Sequence, residues 1–419
     1  MFSPAGGKYL PHVNLKEVRP VRTGMITILM TCLVSGVSMA APSSSFGSEP
    51  LSVTSPDGNL KVEVALKANP QPYLPGERAY YRVYYKGALV LKDSPLGLDF
   101  VGYRPMDREF EISGSEPQSH HDSWENAFDV KRRIPNNYNQ LTISLQERQP
   151  PNRRFDLIFR VFNEGLAFRY FLPQQPALDK FVLAAENTGF YFAQDSSAFA
   201  LNMGKFNTPN EGEYLHISLD EIKPSSIINL PLLVHSPGGP WVALLEADLT
   251  DYSGMYVGGV AGMENALLSK LSPTRERMDQ VVIGSTPKST PWRVLLINSR
   301  PGALIESNYI VLDLSAPCAL ADTSWIQPGK AAWDWWSGSF AKNVDFKPGM
   351  NTATMKHYID FAAEHHLEYM LVDAGWYPAE DYTHALDILH HVPEVDIPDI
   401  IAYAKQKGVR SAFVGSFSL

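Results

Sequence analysis

The sequence predicts a multidomain chain, a β-sandwich followed by the opening β/α units of a (β/α)8 barrel. Three observations carry this reading. From about Leu51 to Cys318 the apolar residues alternate, or run for 5–8 positions, between turn signals, without a long helical period. Near Leu320 the pattern changes to strand, helix, strand, helix, strand. Aromatic and acidic residues then gather where those later strands end, in "AWDWW" and "VDAGW", the rim at which a barrel builds its active site.

The N-terminus is read first. "RPVRTG" supplies positive charge and "MITILMTCLVSGV" an apolar run of 13 residues, short for a membrane span. Ser38 and Ala40 in "SMA|AP" are the small residues of a cleavage site. Residues 1–40 are therefore expected to be a secretory signal peptide cut after Ala40, which sends the chain to the periplasm without a stable membrane anchor. If Met25 is the true start, residues 1–24 are a misassigned extension; the competing reading is an uncleaved anchor. Cleavage would leave Cys318 as the one cysteine, so no internal disulfide is expected. The net charge of −9 and the lack of a basic run argue against nucleic-acid binding. The composition, 44% apolar and 11% aromatic, is that of a globular chain long enough for two domains.

The expected sandwich domain spans 41–319. Its strand candidates are "LKVEVAL", "AYYRVYYKG", "QLTISLQER", "FDLIFRVFNEGLAFRYFL", "PWVALLEADL" and "WRVLLIN", with turns at Ser55-Pro56-Asp57-Gly58 and Ser236-Pro237-Gly238-Gly239. "HSPGGPW" reads as a hairpin, since no strand-loop-helix context makes it a phosphate loop. The second domain spans 320–419. "KAAWDWWSG" is a strand and "NTATMKHYIDFAAEHHL" a helix, capped by Asn351 or Thr352. "EYMLVDAGWY" is a strand, "DIPDIIAYAKQKG" a helix stopped by Gly408, and "VRSAFVGSF" a third strand. Apolar strands in this order predict a parallel sheet buried on both faces. A barrel is favoured over a doubly wound sheet because the first strand lacks a Gly-rich phosphate loop.

"SPDGNLKVEV", "NEGLAFRY", "ALLEADLTDYSGMY", "AAWDWWSG", "YIDFAAEHHLEYMLVDAGWY" and "IPDIIAYAKQKGV", in this order and spacing, resemble glycoside hydrolase family 97. The resemblance runs from about Leu51 to Val414. It implies a β-super-sandwich, a (β/α)8 TIM barrel and a small C-terminal β-domain. It also implies an exported bacterial α-glucosidase or α-galactosidase acting on oligosaccharides, with a calcium ion bound by several glutamates. One of these glutamates would come from the sandwich loop "NTPNEGEYLHI". The resemblance places it at Glu211, with Glu213 as the nearby alternative. Carboxylate oxygens suit calcium; the plainer reading is a solvated acidic loop.

Four rim residues are the candidate sugar contacts: Trp333, Asp334, Asp373 and Trp376. Aromatic faces stack on sugar rings, and carboxylates accept hydrogen bonds from hydroxyls. Against this stand core packing for at least one of Trp333, Trp335 and Trp336, a helix cap or salt bridge for the aspartates, and a pocket wall for Trp376. His365-His366 and His390-His391 resemble metal pairs, but adjacent helical residues point apart. Ser123 and Ser337 lack a nucleophile-elbow pattern.

Glycoside hydrolysis needs two carboxyl groups flanking the bond. In the resembled family these sit on the fourth and later barrel strands, whereas this chain stops near the third. No catalytic residue is therefore assigned within 1–419, and the chain is expected to be a C-terminally truncated, inactive form. The glucoside-galactoside and inverting-retaining choices stay open. Two alternatives remain. One is a non-catalytic carbohydrate-binding sandwich. The other is a sandwich epimerase using His121, His216, His235 or Glu246. The oligomeric state is not legible.

Overall fold

The computed structural model describes residues 49–126, 131–335, 338, 340–381, 384–385 and 389–415. The expected signal peptide, Trp336 and Ser337 lie outside the described residues. Among the described residues, no helix is long and apolar enough to cross a membrane.

The first part of the chain is built from strands. They run β1 (Leu51–Thr54), β2 (Leu60–Lys67), β3 (Arg78–Tyr85), β4 (Ala88–Leu96), β5 (Leu98–Phe100), β6 (Phe110–Glu125), β7 (Arg133–Glu147), β8 (Arg154–Val161) and β9 (Gly165–Leu172). There follow β10 (Lys180–Glu186), β11 (Gly189–Tyr191), β12 (Ser197–Ala200), β13 (Leu215–Ser218), β14 (Leu232–His235) and β15 (Trp241–Ala247). Then come β16 (Met255–Val260), β17 (Met263–Leu271), β18 (Val282–Ser285), β19 (Lys288–Ser289) and β20 (Trp292–Asn298), and the short helices α1 (Pro301–Glu306) and α2 (Tyr309–Asp313).

Ten of these strands form one antiparallel sheet, ordered β13-β12-β14-β15-β20-β9-β8-β7-β6, with β19 paired to β9. Three smaller sheets, β1-β2-β3-β4, β18-β10-β5 and β11-β17-β16, accompany it. Period-2 alternation explains the layering. In β8, Phe155, Leu157, Phe159 and Val161 are buried while the residues between them are not. They share one core with Val62 and Val64 of β2, Tyr81 and Val83 of β3, and Leu295 and Ile297 of β20. Each such side chain contributes roughly 1.5–3 kcal/mol when fully buried.

"WRVLLIN" runs apolar rather than alternating because β20 is covered on both faces. Leu295 and Ile297 enter the inter-sheet core, while Trp292, Val294 and Leu296 pack under α1 and α2 with Leu304, Tyr309 and Ile310. The sequence reading did not anticipate these two helices, although Pro301 at the start of α1 is a helix-start signal. Gly58 and Gly238 adopt φ of +77° and +72° in the anticipated turns, and His235 faces Trp241 across the β14–β15 hairpin.

One inward position of β20 is charged. Arg293 donates from Nε and Nη2 to both oxygens of Glu186, each at 2.7 Å, and from Nη1 to Glu246 at 2.9 Å. Glu246 is its cross-strand neighbour, and Tyr252 and Thr188 also donate to Glu186.

The second part contains β21 (Ala331–Trp333), α3 (Thr352–Glu364), β22 (Tyr369–Val372), a small hairpin of β23 (Ala379–Asp381) and β24 (His384–Ala385), α4 (Ile397–Lys407) and β25 (Arg410–Phe413). The parallel order is β21-β22-β25. Asn351 caps α3, its side chain accepting from the Thr354 amide at 2.9 Å. Asp396 caps α4, and Gly408 ends it at φ 74°, the left-handed stop. Ala332, Met370 and Val372 bury one sheet face against Met355, Ile359 and Ala362 of α3 and Ile400 and Ala404 of α4.

The expectation of strands buried on both faces is corrected here. Ala331 and Trp333 on the other face are exposed, and Tyr369 and Leu371 are partly exposed. Both helices pack on the first side, and on the second the segment at Gln327 and Gly329 lies against Tyr369, whose hydroxyl donates to the Gln327 carbonyl.

Candidate functional site

Three parallel strands end on the same side, and the candidate residues follow those ends. Trp333 lies in register with Leu371, and Val372 with Phe413. Asp334 and Asp373 are thus the first residues beyond two neighbouring strands, and Val414 the first beyond the third.

The structure brings three of the four rim candidates into one bonded cluster. Trp333 donates its indole N–H to Asp373 Oδ2 at 2.8 Å. Asp373 Oδ1 accepts the Ala374 amide at 2.6 Å. The Asp373 amide donates to Asp334 Oδ1 at 3.3 Å. Asp334 is fully buried, whereas Trp333 is 38% exposed. Asp334 thus fixes the backbone on which Asp373 sits, while Trp333 and Asp373 stand at the solvent-facing rim. Gly375, two residues on, has φ 108°, a turn that a side chain rarely tolerates. It redirects the chain immediately after Asp373.

Trp376 sits beside this cluster. It donates its indole N–H to the Val414 carbonyl at 2.7 Å and packs edge-on against Phe413 and the buried Tyr377. Its ring links the ends of β22 and β25. Trp335 is exposed.

Glu211 lies on the loop between β12 and β13, after Asn210 with its φ of 56°. Glu211 and Glu213 are exposed. The Glu211 carboxylate makes no hydrogen bond or ion pair among the described residues. No group of three His, Cys, Asp or Glu side chains that could hold a metal occurs among the described residues. Calcium takes six to eight oxygens. Glu211 could supply one or two of these oxygens.

The proposed epimerase residues do not converge. Glu246 faces the inter-sheet core and is bound to Arg293. His235 and His216 lie on the opposite face of the sheet, stacked on Trp241 and Phe199 at 4.1 and 4.6 Å, and His121 lies on β6. What the sequence reading lacked was the Trp333–Asp373 bond. Only parallel pairing in register joins residues 40 positions apart.

This arrangement suits recognition of a polyhydroxylated ligand: a partly exposed indole, a carboxylate with its oxygens already oriented by donors, and a buried support behind them. Residues 53–317 match the family model described as Glycosyl-hydrolase 97 N-terminal, and 335–418 that described as Glycoside hydrolase 97. The chain is 27% identical over 409 residues to a retaining alpha-galactosidase of Bacteroides thetaiotaomicron, covering 92% of this chain and 57% of that protein. It is 26% identical over 401 residues to a probable retaining alpha-galactosidase of Streptomyces bingchenggensis, covering 91% and 54%. A solved family 97 enzyme from Pseudoalteromonas sp. strain K8, in complex with acarbose, superposes with a TM-score of 0.75 at 25% identity, covering 86% of this chain and 53% of that one. The chain spans little more than half the length of these relatives. With both family models matched in order along it, the chain belongs to glycoside hydrolase family 97.

Proposed function

We propose that this chain supplies the sandwich and the sugar-facing strand ends of a retaining α-glycosidase, acting on α-galactosides, with α-glucosides as the second substrate class. The observation that carries the reading is the Trp333–Asp373 bond at the ends of parallel strands. The names of these two relatives, one a retaining alpha-galactosidase and the other a probable retaining alpha-galactosidase, support galactoside over glucoside. We read β21-β22-β25 as the first strands of a (β/α)8 barrel. Their order follows the chain, and their helices share one side.

The chain's own residues bind and orient. Asp373 has each oxygen held by one N–H donor, leaving lone pairs for a sugar hydroxyl. Trp333 supplies an apolar face beside it. Neither aspartate suits attack at the anomeric carbon, because Asp334 is buried behind the rim and Asp373 is anchored to the backbone and the indole. A retaining mechanism needs two carboxyl groups roughly 5–5.5 Å apart across the bond, and the rim residues of this chain do not provide that pair. This chain is therefore inactive by itself, and residues 1–40 direct it to the periplasm. A calcium ion with Glu211 among its carboxylate ligands belongs to the same proposal, and no step assigned to the rim residues runs through it.

The test is titration of the full chain with methyl α-galactoside and methyl α-glucoside, following the Trp333 indole N–H by NMR, alongside release of p-nitrophenol from the matching aryl glycosides. The indole resonance is expected to shift without turnover. A folded chain whose indole ignores both sugars overturns the binding site, and turnover by the chain overturns its inactivity.

A further inference from the structure

The sandwich carries a second concave site. An open cleft of about 650 Å³ lies on the outer face of the β18-β10-β5 sheet and shares no residue with the Trp333–Asp373 cluster. Its floor is apolar: Ile283, 67% exposed, is the cross-strand partner of Val182, with Val101 beside them. One wall is Tyr103, exposed on a turn that Gly102 enters at φ 80°. The buried Arg153 guanidinium lies 5.5 Å from the Tyr103 ring centroid and braces it.

The other wall is polar. Lys288, largely buried, directs its ammonium to the carboxylate and the carbonyl of Asp251, both at 2.7 Å. An ammonium has three N–H donors. One donor and the second Asp251 oxygen therefore remain for a ligand hydroxyl.

We infer that this cleft is an accessory binding site for a neutral oligosaccharide, with a pyranose ring lying on Tyr103 and Ile283 and its hydroxyls held by the Lys288–Asp251 pair. Three features select this class. The volume is that of a small-ligand site. The Lys288–Asp251 pair balances its own charge, and the one further lining cation, Lys180, is exposed to solvent, where its charge is screened. An exposed aromatic ring beside paired donor and acceptor groups matches a molecule with apolar C–H faces and a polar rim. The choice of sugar rests on the carbohydrate reading of the family. On a glycosidase, such a site would hold a second stretch of a longer substrate.

The experiment titrates the full chain with maltotriose and with raffinose, following the Ile283 methyl and the Trp333 indole resonances separately. A saturable shift of the Ile283 methyl is expected, weakened at least ~tenfold in Tyr103→Ala and in Asp251→Ala. Both substitutions are at exposed side chains, and thermal melting confirms the fold. An unmoved Ile283 methyl overturns the inference, whether or not Trp333 responds, as do folded variants that bind like the parent. A moving Ile283 methyl with a silent Trp333 upholds the cleft and sinks the strand-end site.

Discussion

Asp373 is the residue on which the strand-end reading turns. Replacing it with Asn keeps an acceptor for the Trp333 indole but removes the charge. A hydrogen bond to a charged group is worth roughly 1.5–3 kcal/mol, so Asp373→Asn is expected to weaken α-galactoside binding by about tenfold or more, read by titration, with little change in melting temperature. A second residue reports on stability. Asp313 of α2 accepts the Trp124 indole at 2.8 Å, while its other oxygen is buried without a partner. Burial pushes its carboxyl up to about 6, against the pull of Trp124 and Arg160. The folded value lies above the unfolded value of 3.8. Stability from the protonated form is therefore complete below the unfolded value and lost as pH rises through about 6. Asp313→Asn should stabilise the chain at pH 7.5 by about 1 kcal/mol, after discounting for partial exposure, and change little at pH 4. Melting curves at the two pH values check this.

At the scale of single elements, the caps were the most legible features. Asn351 accepts the Thr354 amide at the start of α3 and Gly408 closes α4 in the left-handed region. Both follow from local chemistry that a sequence displays. Asn351→Ala is expected to cost about 1 kcal/mol and Gly408→Ala about 1 kcal/mol, each measured by urea unfolding. α1 and α2 were not legible. At six and five residues they have little propensity of their own and owe their form to packing on Trp292, Val294 and Leu296. The strand β22 was legible as an apolar run, but its one-sided burial was not, because a run alone does not say how many faces are covered.

Across the whole molecule, the Glu186–Arg293–Glu246 cluster ties the β18-β10-β5 sheet to the ten-stranded one. Burial raises the Glu246 carboxyl above the ordinary range, with Arg293 pulling it down. Arg293→Met would leave two carboxylates without their cation. A cost of roughly 3–5 kcal/mol is expected near pH 8, and the deficit should shrink as pH falls, because protonation of Glu246, already raised by burial, then removes one stranded charge. Comparing melting at pH 8 and pH 5 tests the sign. Hydrogen exchange offers a second check. Amides of β22, buried on one face, should exchange before those of β9 and β20, which lie in the middle of the large sheet.

The sequence by itself determined most strands and the helix caps, because period, turn chemistry and capping act over a few neighbouring positions. Tertiary structure alone decided that Trp333 bonds Asp373 while Asp334 stands buried behind it, that Glu246 belongs to an internal ion cluster, and that Tyr103 and Lys288 face one cleft. Each of these joins residues tens to hundreds of positions apart. Strand register sets such distances, and a linear pattern does not encode it.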